Sequence, residues 1–179
     1  VCTDSSHSGE NHGSVTFATK LYQAGDKLYI GEKEWQYSNN NGYLLPAGTY
    51  YLDTNLTLDH KIKISDSNGG SAALCLNGNT ITCTEYGAVI GIQSTNNKDF
   101  TFTLCDCKSK GMITHASGSG SGVDVAYSNN ISNTDVAKFI MYNGCITQNK
   151  GSGVYLNANT MFTMYGGSIT KNNADRYGY

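Results

Sequence analysis

Several side chains in this sequence are of types that do chemistry. Asp106 and Lys108 stand together, Asp124 follows a strand later, and the single arginine is Arg176. Carboxylates and a basic side chain are what acid–base work needs, provided the fold brings them to one place. As isolated positions they read as ordinary surface charges. Cys2, His7 and His12 are of metal-ligating type, but the C-x4-H-x4-H spacing is irregular and lacks a local fourth ligand. The competing reading is a polar N-terminal segment. His60 and His115 occur singly among strand-like segments and read as corner or surface residues. No nucleophile elbow, phosphate loop or interpretable pair of acid–base carboxylates is present, so the residues favour a non-catalytic chain and imply no cofactor.

Other candidates suit binding or cross-linking. Tyr142 and Tyr165 are 23 residues apart, and Tyr155 lies on a neighbouring strand. Flat, amphipathic rings suit sugar faces and protein interfaces, although a tyrosine column can also simply pack on itself. Together with Asp124 these form the candidate binding set. Cys75 and Cys105 each follow a leucine expected to point inward, so both are expected to point outward from neighbouring coils. They are the best candidates for a disulfide, and if unpaired are small sheet residues. Cys107 shares a face with Cys105 and is too close in sequence to bridge it comfortably. Thr82, Thr114, Thr147 and Thr170 form an expected outward column. An ice-binding surface needs more regularity than one such column on coils of unequal length, and threonine is in any case a good strand residue.

What positions these residues is a repeat. The stretch 139–149 (FIMYNGCITQN) returns at 162–172 (FTMYGGSITKN) with an offset of 23 at each matched position. Fainter copies lie at 102–105 with 111–114, where an insertion separates the halves, and at 74–82. The Ile-Thr landmark recurs at 81, 113, 146 and 169, with spacings of 32, 33 and 23. A second element trails it: 153–156 (GVYL) corresponds to 122–125 (GVDV) and loosely to Ile90–Ile92. Alternation predicts Phe139, Met141, Ile146, Val154 and Leu156 on one side and Tyr142, Thr147 and Tyr155 on the other. Such a unit cannot bury its own apolar face, but stacked copies can. Asn149 and Asn172 recur where a corner is expected and can hydrogen-bond along the stack. Gly111, Gly144 and Gly167, each two residues before the isoleucine, mark a corner or bulge with unusual backbone angles.

The expected fold is therefore all-β, a right-handed parallel β-helix with an N-terminal cap. Residues 1–44 do not repeat and read as the cap; residues 45–179 read as coils, with 56–58 and 62–64 as strands of an early one. After Asn172 the repeat stops mid-coil, which predicts either further chain or coil-end packing and self-association at an uncapped edge. Val1 is not preceded by an initiator Met or a signal peptide, as in a mature secreted fragment or a cut piece. Composition agrees with a many-stranded chain: of 179 residues, 21 are Gly and one is Pro, and short β-branched pieces separate Gly/Asn turns. Charged residues are 15% and the net charge is −2, so no basic field invites nucleic acid. No run approaches the roughly 18 apolar residues of a spanning helix.

The stretches 74–82 (LCLNGNTIT), 46–52 (PAGTYYL) and 162–172 resemble repeats of the right-handed β-helix, pectate-lyase-like regions of large surface and secreted proteins of gut Firmicutes. The resemblance covers roughly residues 45–179. It implies an extracellular location and an adhesion-like role, with a glycan or host surface protein as partner. Enzymes of that fold gather Asp residues around calcium and use an Arg or Lys base. The alternatives to a binding domain are thus a polysaccharide lyase or glycosidase, and a passive stalk.

Overall fold

The computed structural model describes residues 16–39, 42–65, 71–94, 100–108, 110–127 and 137–174. Among them there is no helix, and nineteen strands form three sheets. The N-terminal strands are β1 (Thr19–Ala24), β2 (Lys27–Ile30), β3 (Lys33–Glu34) and β4 (Tyr37–Ser38). The rest come in five triplets. The first is β5 (Gly42–Leu45), β6 (Gly48–Leu52) and β7 (Leu56–Leu58), and the second is β8 (Ile62–Ser65), β9 (Ala72–Cys75) and β10 (Thr80–Cys83). The third is β11 (Ile90–Ser94), β12 (Phe100–Cys105) and β13 (Met112–His115). The fourth is β14 (Val123–Tyr127), β15 (Ala137–Met141) and β16 (Cys145–Thr147), and the fifth is β17 (Val154–Leu156), β18 (Thr160–Met164) and β19 (Ser168–Thr170).

Each triplet sends one strand to each sheet. The first sheet runs β5-β8-β11-β14-β17, the second β6-β9-β12-β15-β18 and the third β7-β10-β13-β16-β19. Neighbours within these runs pair in parallel. Consecutive strands therefore visit the three sheets in a fixed cyclic order, an all-β architecture compatible with a parallel β-helix. The repeat unit holds three strands, one more than the two visible by alternation in the sequence. The extra length of the third and fourth triplets falls between their first and second strands, where 95–99 and 128–136 lie outside the described residues, and in the third triplet equally in the corner between β12 and β13.

At the N-terminal side the pairing changes. β1 joins β6 in parallel, then β2 and β3 follow as antiparallel strands, and β4 pairs antiparallel with β5. Trp35 is buried there, donates its indole N–H to the Leu44 carbonyl at 2.9 Å, and lies 5.5 Å from the Tyr43 ring. An open parallel edge exposes a row of backbone donors and acceptors, and these turns and short strands occupy that edge.

Parallel register stacks like on like. Leu56, Ile81, Ile113, Ile146 and Ile169 line the third sheet. Leu45, Ile64, Ile92, Val125 and Leu156 line the first. In the second, Phe102, Phe139 and Phe162 stack with centroids 5.7 and 4.9 Å apart. All but Leu156, which is exposed, belong to one apolar cluster, fully buried in the middle triplets and half-buried at β18 and β19.

The corners follow the polar pattern. Asn149 donates through Nδ2 to the Ile113 carbonyl at 3.3 Å and to Asn172 Oδ1 at 2.9 Å, while Asn172 Nδ2 donates to the Ile146 carbonyl at 2.9 Å. The expected asparagine stack is thus present. It has a third member: His115 Nδ1 is 2.8 Å from Asn149 Oδ1, and His115 Nε2 is 2.9 Å from the Gly87 carbonyl. His115 is buried within the fold rather than at the surface. A side chain at Gly122 or Gly153 would strike this stack, since a Cβ there would come within 2.8 Å of Asn149 Nδ2 or 2.6 Å of Asn172 Nδ2. Gly144 and Gly167 have φ of +107° and +86°, as expected of the repeated corner, whereas Gly111 has no such angle and is instead held by close packing, since a Cβ there would strike Leu76 Cβ.

Phe139 stacks on both faces, so Phe139→Ala is expected to destabilise the chain by about 3–5 kcal/mol, the usual cost of deleting a buried phenyl ring. Phe162→Ala, at a half-buried position, is expected to cost clearly less. Urea unfolding followed by circular dichroism measures both, and equal losses would show that the stack is not the core.

Candidate functional site

Outward positions obey the same register as inward ones, so each sheet carries columns of surface side chains. On the first sheet one column is Leu44, Lys63, Gly91, Asp124 and Tyr155. Gly91 is the member without a side chain. It leaves a notch one strand wide, walled by Lys63 on one side and Asp124 on the other. Strand spacing puts those two backbones about 9–10 Å apart. Lys61, Gln93 and Ala126 complete a recess of about 180 Å³ around it. Gly91 has ordinary strand angles, and a Cβ there would meet only Lys61 Cδ, at 3.7 Å. The notch is therefore open space, with no backbone strain holding the glycine in place.

The recess is partly desolvated, and its charges register this. Burial pushes the Asp124 carboxyl above the ordinary aspartate range, and the Lys61 charge only partly opposes that. Burial, then the neighbouring Lys61, lowers Lys63 below the usual lysine range. Asn157 Nδ2 donates to Asp124 Oδ1 at 3.4 Å, a long contact, and Asp124 lines the recess. Tyr155, next in the column, is half exposed.

Lys61 also lines a second recess of about 240 Å³ with Tyr37, Gly42, His60, Glu85 and Tyr86. The His60 ring stacks on Tyr37 at 4.0 Å and its Nδ1 lies 2.8 Å from Glu85 Oε2. Beside it, Tyr43 donates its hydroxyl to Asp59 Oδ1 at 2.7 Å. Tyr86 is 81% exposed. Lys61 lines both recesses; Tyr86 lines the second, and Tyr155 stands beyond Asp124 in the column of the first. Polar donors and acceptors around a bare strand backbone, with exposed flat rings nearby, can hold a polyhydroxylated ligand.

The structure separates the other candidates. Tyr142 and Tyr165 stack at 5.0 Å, as their spacing implies, but they follow strands of the second sheet and do not share the face of Tyr155. Asp106 is fully buried, and its carboxylate accepts backbone N–H groups of Gly78 at 2.7 Å, Gly111 at 2.7 Å and Lys108 at 3.3 Å. It organises the long corner after β12, while Asp124 stands on another sheet, so Asp106, Lys108 and Asp124 form no joint centre. The threonine column exists and includes Thr57, but Thr114 and Thr147 are buried, so it is no continuous water-facing surface. Cys75 and Cys105 are register partners and both are thiols here. Cys2, His7, His12 and Arg176 lie outside the described residues. Among the described residues no group of three or more His, Cys, Asp or Glu side chains is arranged to hold a metal ion, and no helix is long and apolar enough to cross a membrane.

Sequence reading missed Gly91, Lys61, Lys63 and the His60–Glu85 pair. One signal was available: when 90–92 is set against 123–125 and 154–156, a glycine stands where the other coils carry Asp and Tyr. Comparison with protein-family models, curated proteins and solved structures gives no match to this chain.

The raised Asp124 titration has a consequence for stability. The folded chain holds this proton to higher pH than the unfolded chain, so on raising the pH the unfolded state ionises first and is favoured. Asp124→Asn removes that penalty and is expected to gain stability relative to the parent as the pH rises above the ordinary aspartate range. Parallel urea titrations measure it, and a pH-independent difference would contradict the burial of this carboxyl.

Proposed function

We propose that this chain is a right-handed parallel β-helix from a bacterial surface or secreted protein, and that it binds a glycan non-catalytically at the Gly91 recess of the first sheet. The cyclic three-sheet order supports the fold reading, and parallel crossover connections are right-handed in nearly all cases. The resemblance of 46–52, 74–82 and 162–172 to pectate-lyase-like repeat regions supports the extracellular setting. The observation that carries the binding reading is the Gly91 notch. An unstrained, side-chain-free gap lies between Lys63 and Asp124, with Tyr155 beyond Asp124 and Lys61 lining both this recess and the His60–Glu85 one. A passive stalk has no use for such a gap, and a bare sheet face would carry a side chain there at no cost in backbone geometry.

The test is a glycan array followed by calorimetry on the best ligand. Gly91→Leu fills the notch on a solvent face with a residue strands tolerate, so the fold is expected to persist. Affinity is expected to drop at least tenfold, equivalent to about 1.4 kcal/mol. Tyr155→Ala is expected to weaken the same ligand, and Tyr165→Ala, on the other sheet, to leave it unchanged. A chain that binds no glycan, or one that Gly91→Leu leaves undisturbed, would overturn the reading in favour of a stalk.

A further inference from the structure

The outer face of the second sheet holds a cluster that the Gly91 recess does not use. Its column runs Tyr51, Cys75 and Cys105 in register, and one residue past the ends of β15 and β18 it continues as Tyr142 and Tyr165. Cys107, two residues beyond Cys105, joins the same cluster. Phe17 is fully buried in it, and Tyr51 and Tyr142 pack against it from the two ends of the column. Three thiols are thus gathered on the outside of the sheet and sealed beneath aromatic rings. Sulfur packs well on such rings, so the cover is favourable in itself.

The thiols are not equivalent. Cys75 stands in register with Cys105 and clusters with Cys107, and these neighbouring thiols hold the Cys75 thiol well below the ordinary cysteine range although burial opposes them. The Cys105 thiol donates to the Leu74 carbonyl at 3.6 Å. A buried cysteine in apolar surroundings is normally inert with a raised titration, so the shift here runs against the effect of burial. Geometry favours bonding as well. Directly paired residues on adjacent strands stand about 4.7–4.9 Å apart, inside the roughly 4.4–6.8 Å that a disulfide spans between Cα atoms. Cys75 has two neighbouring thiols and can bond only one.

We propose that Cys75 is the attacking thiol of a built-in thiol–disulfide exchange site whose substrate is an organic disulfide, and that Cys105 and Cys107 compete to resolve it. The Cys75 thiolate attacks one sulfur of the organic disulfide, forming a mixed disulfide and expelling one thiolate. The Cys105 or Cys107 thiol, giving up its proton, then attacks Cys75 Sγ and expels the second thiolate. The protein loses two hydrogens, and the organic disulfide is reduced to two thiols. The product staples the second triplet to the third, with one thiol left beside the bond to exchange it. Access is set by Phe17, whose segment is tied down where Ala18 N–H donates to the Thr49 carbonyl at 3.3 Å.

The experiment treats the reduced full chain with oxidised glutathione, quenches with N-ethylmaleimide, and maps bridges by fragment ions of the unreduced digest. The parent chain is expected to lose two hydrogens and to link Cys75 to Cys105 or Cys107. Cys105→Ala is expected to move the bridge to Cys107, and Cys107→Ala to confine it to Cys105. The chain carrying both substitutions is expected to stop at a stable Cys75–glutathione mixed disulfide. Phe17→Ala is expected to speed oxidation several-fold, and Cys83→Ala to change nothing. The proposal is overturned if Cys75 stays a thiol in both the parent and Phe17→Ala, or if its main partner is Cys2, Cys83 or Cys145. It is also overturned if the doubly substituted chain accumulates no mixed disulfide while its circular dichroism matches the parent.

Discussion

The backbone hydrogen bonds between coils are the constraint on which everything else rests. Strands of three to six residues have little to bury by themselves, and their donors and acceptors point at the next coil rather than along their own chain. Once paired in parallel, a strand has no freedom of register, because a slip of one residue would turn its inward side chains out. Leu56, Ile81, Ile113, Ile146 and Ile169 therefore stand on one another over four successive steps, although those steps differ in length. Extra residues are absorbed where they do not disturb the pairing, between the first and second strands of both long triplets and in the corner between β12 and β13.

The same constraint explains the buried polar residues. A chain that turns sharply between short strands leaves backbone groups unpaired at its corners, and burying them without partners is costly. Asn149, Asn172 and His115 meet that need by hydrogen-bonding from coil to coil. Asp106 meets it by accepting three backbone N–H groups, those of Lys108 and Gly111 in its own corner and that of Gly78 in the corner of the preceding triplet. Residues that look like candidates for catalysis thus serve the turns, and the free choices of side chain are pushed to the outer faces. There the register still holds, which is why a single glycine at 91 becomes a notch and two cysteines at 75 and 105 become neighbours.

Much of this was legible in the sequence. The 23-residue echo between 139–149 and 162–172, the recurring Ile-Thr pair and the alternation of Phe139, Met141 and Ile146 determined a stack of parallel strands. They also determined the asparagine stack and the meeting of Tyr142 with Tyr165, because a repeat in a stacked fold places equivalent residues at equivalent heights. The adjacency of Cys75 and Cys105 followed from each trailing an inward leucine.

Tertiary structure alone decided what the repeat leaves open. Which sheet a strand joins is set by how the corners close. That separated Tyr155 from Tyr165, and Asp124 from Asp106, though both pairs looked alike as spacings. Contacts between residues unrelated by the repeat were equally hidden: Phe17 over the thiols, Tyr37 on His60, and Lys61 between two recesses. A periodic pattern specifies the height of a side chain along the stack. Its neighbours around the stack, and the segment lying over it, depend on corners and termini whose sequences do not recur.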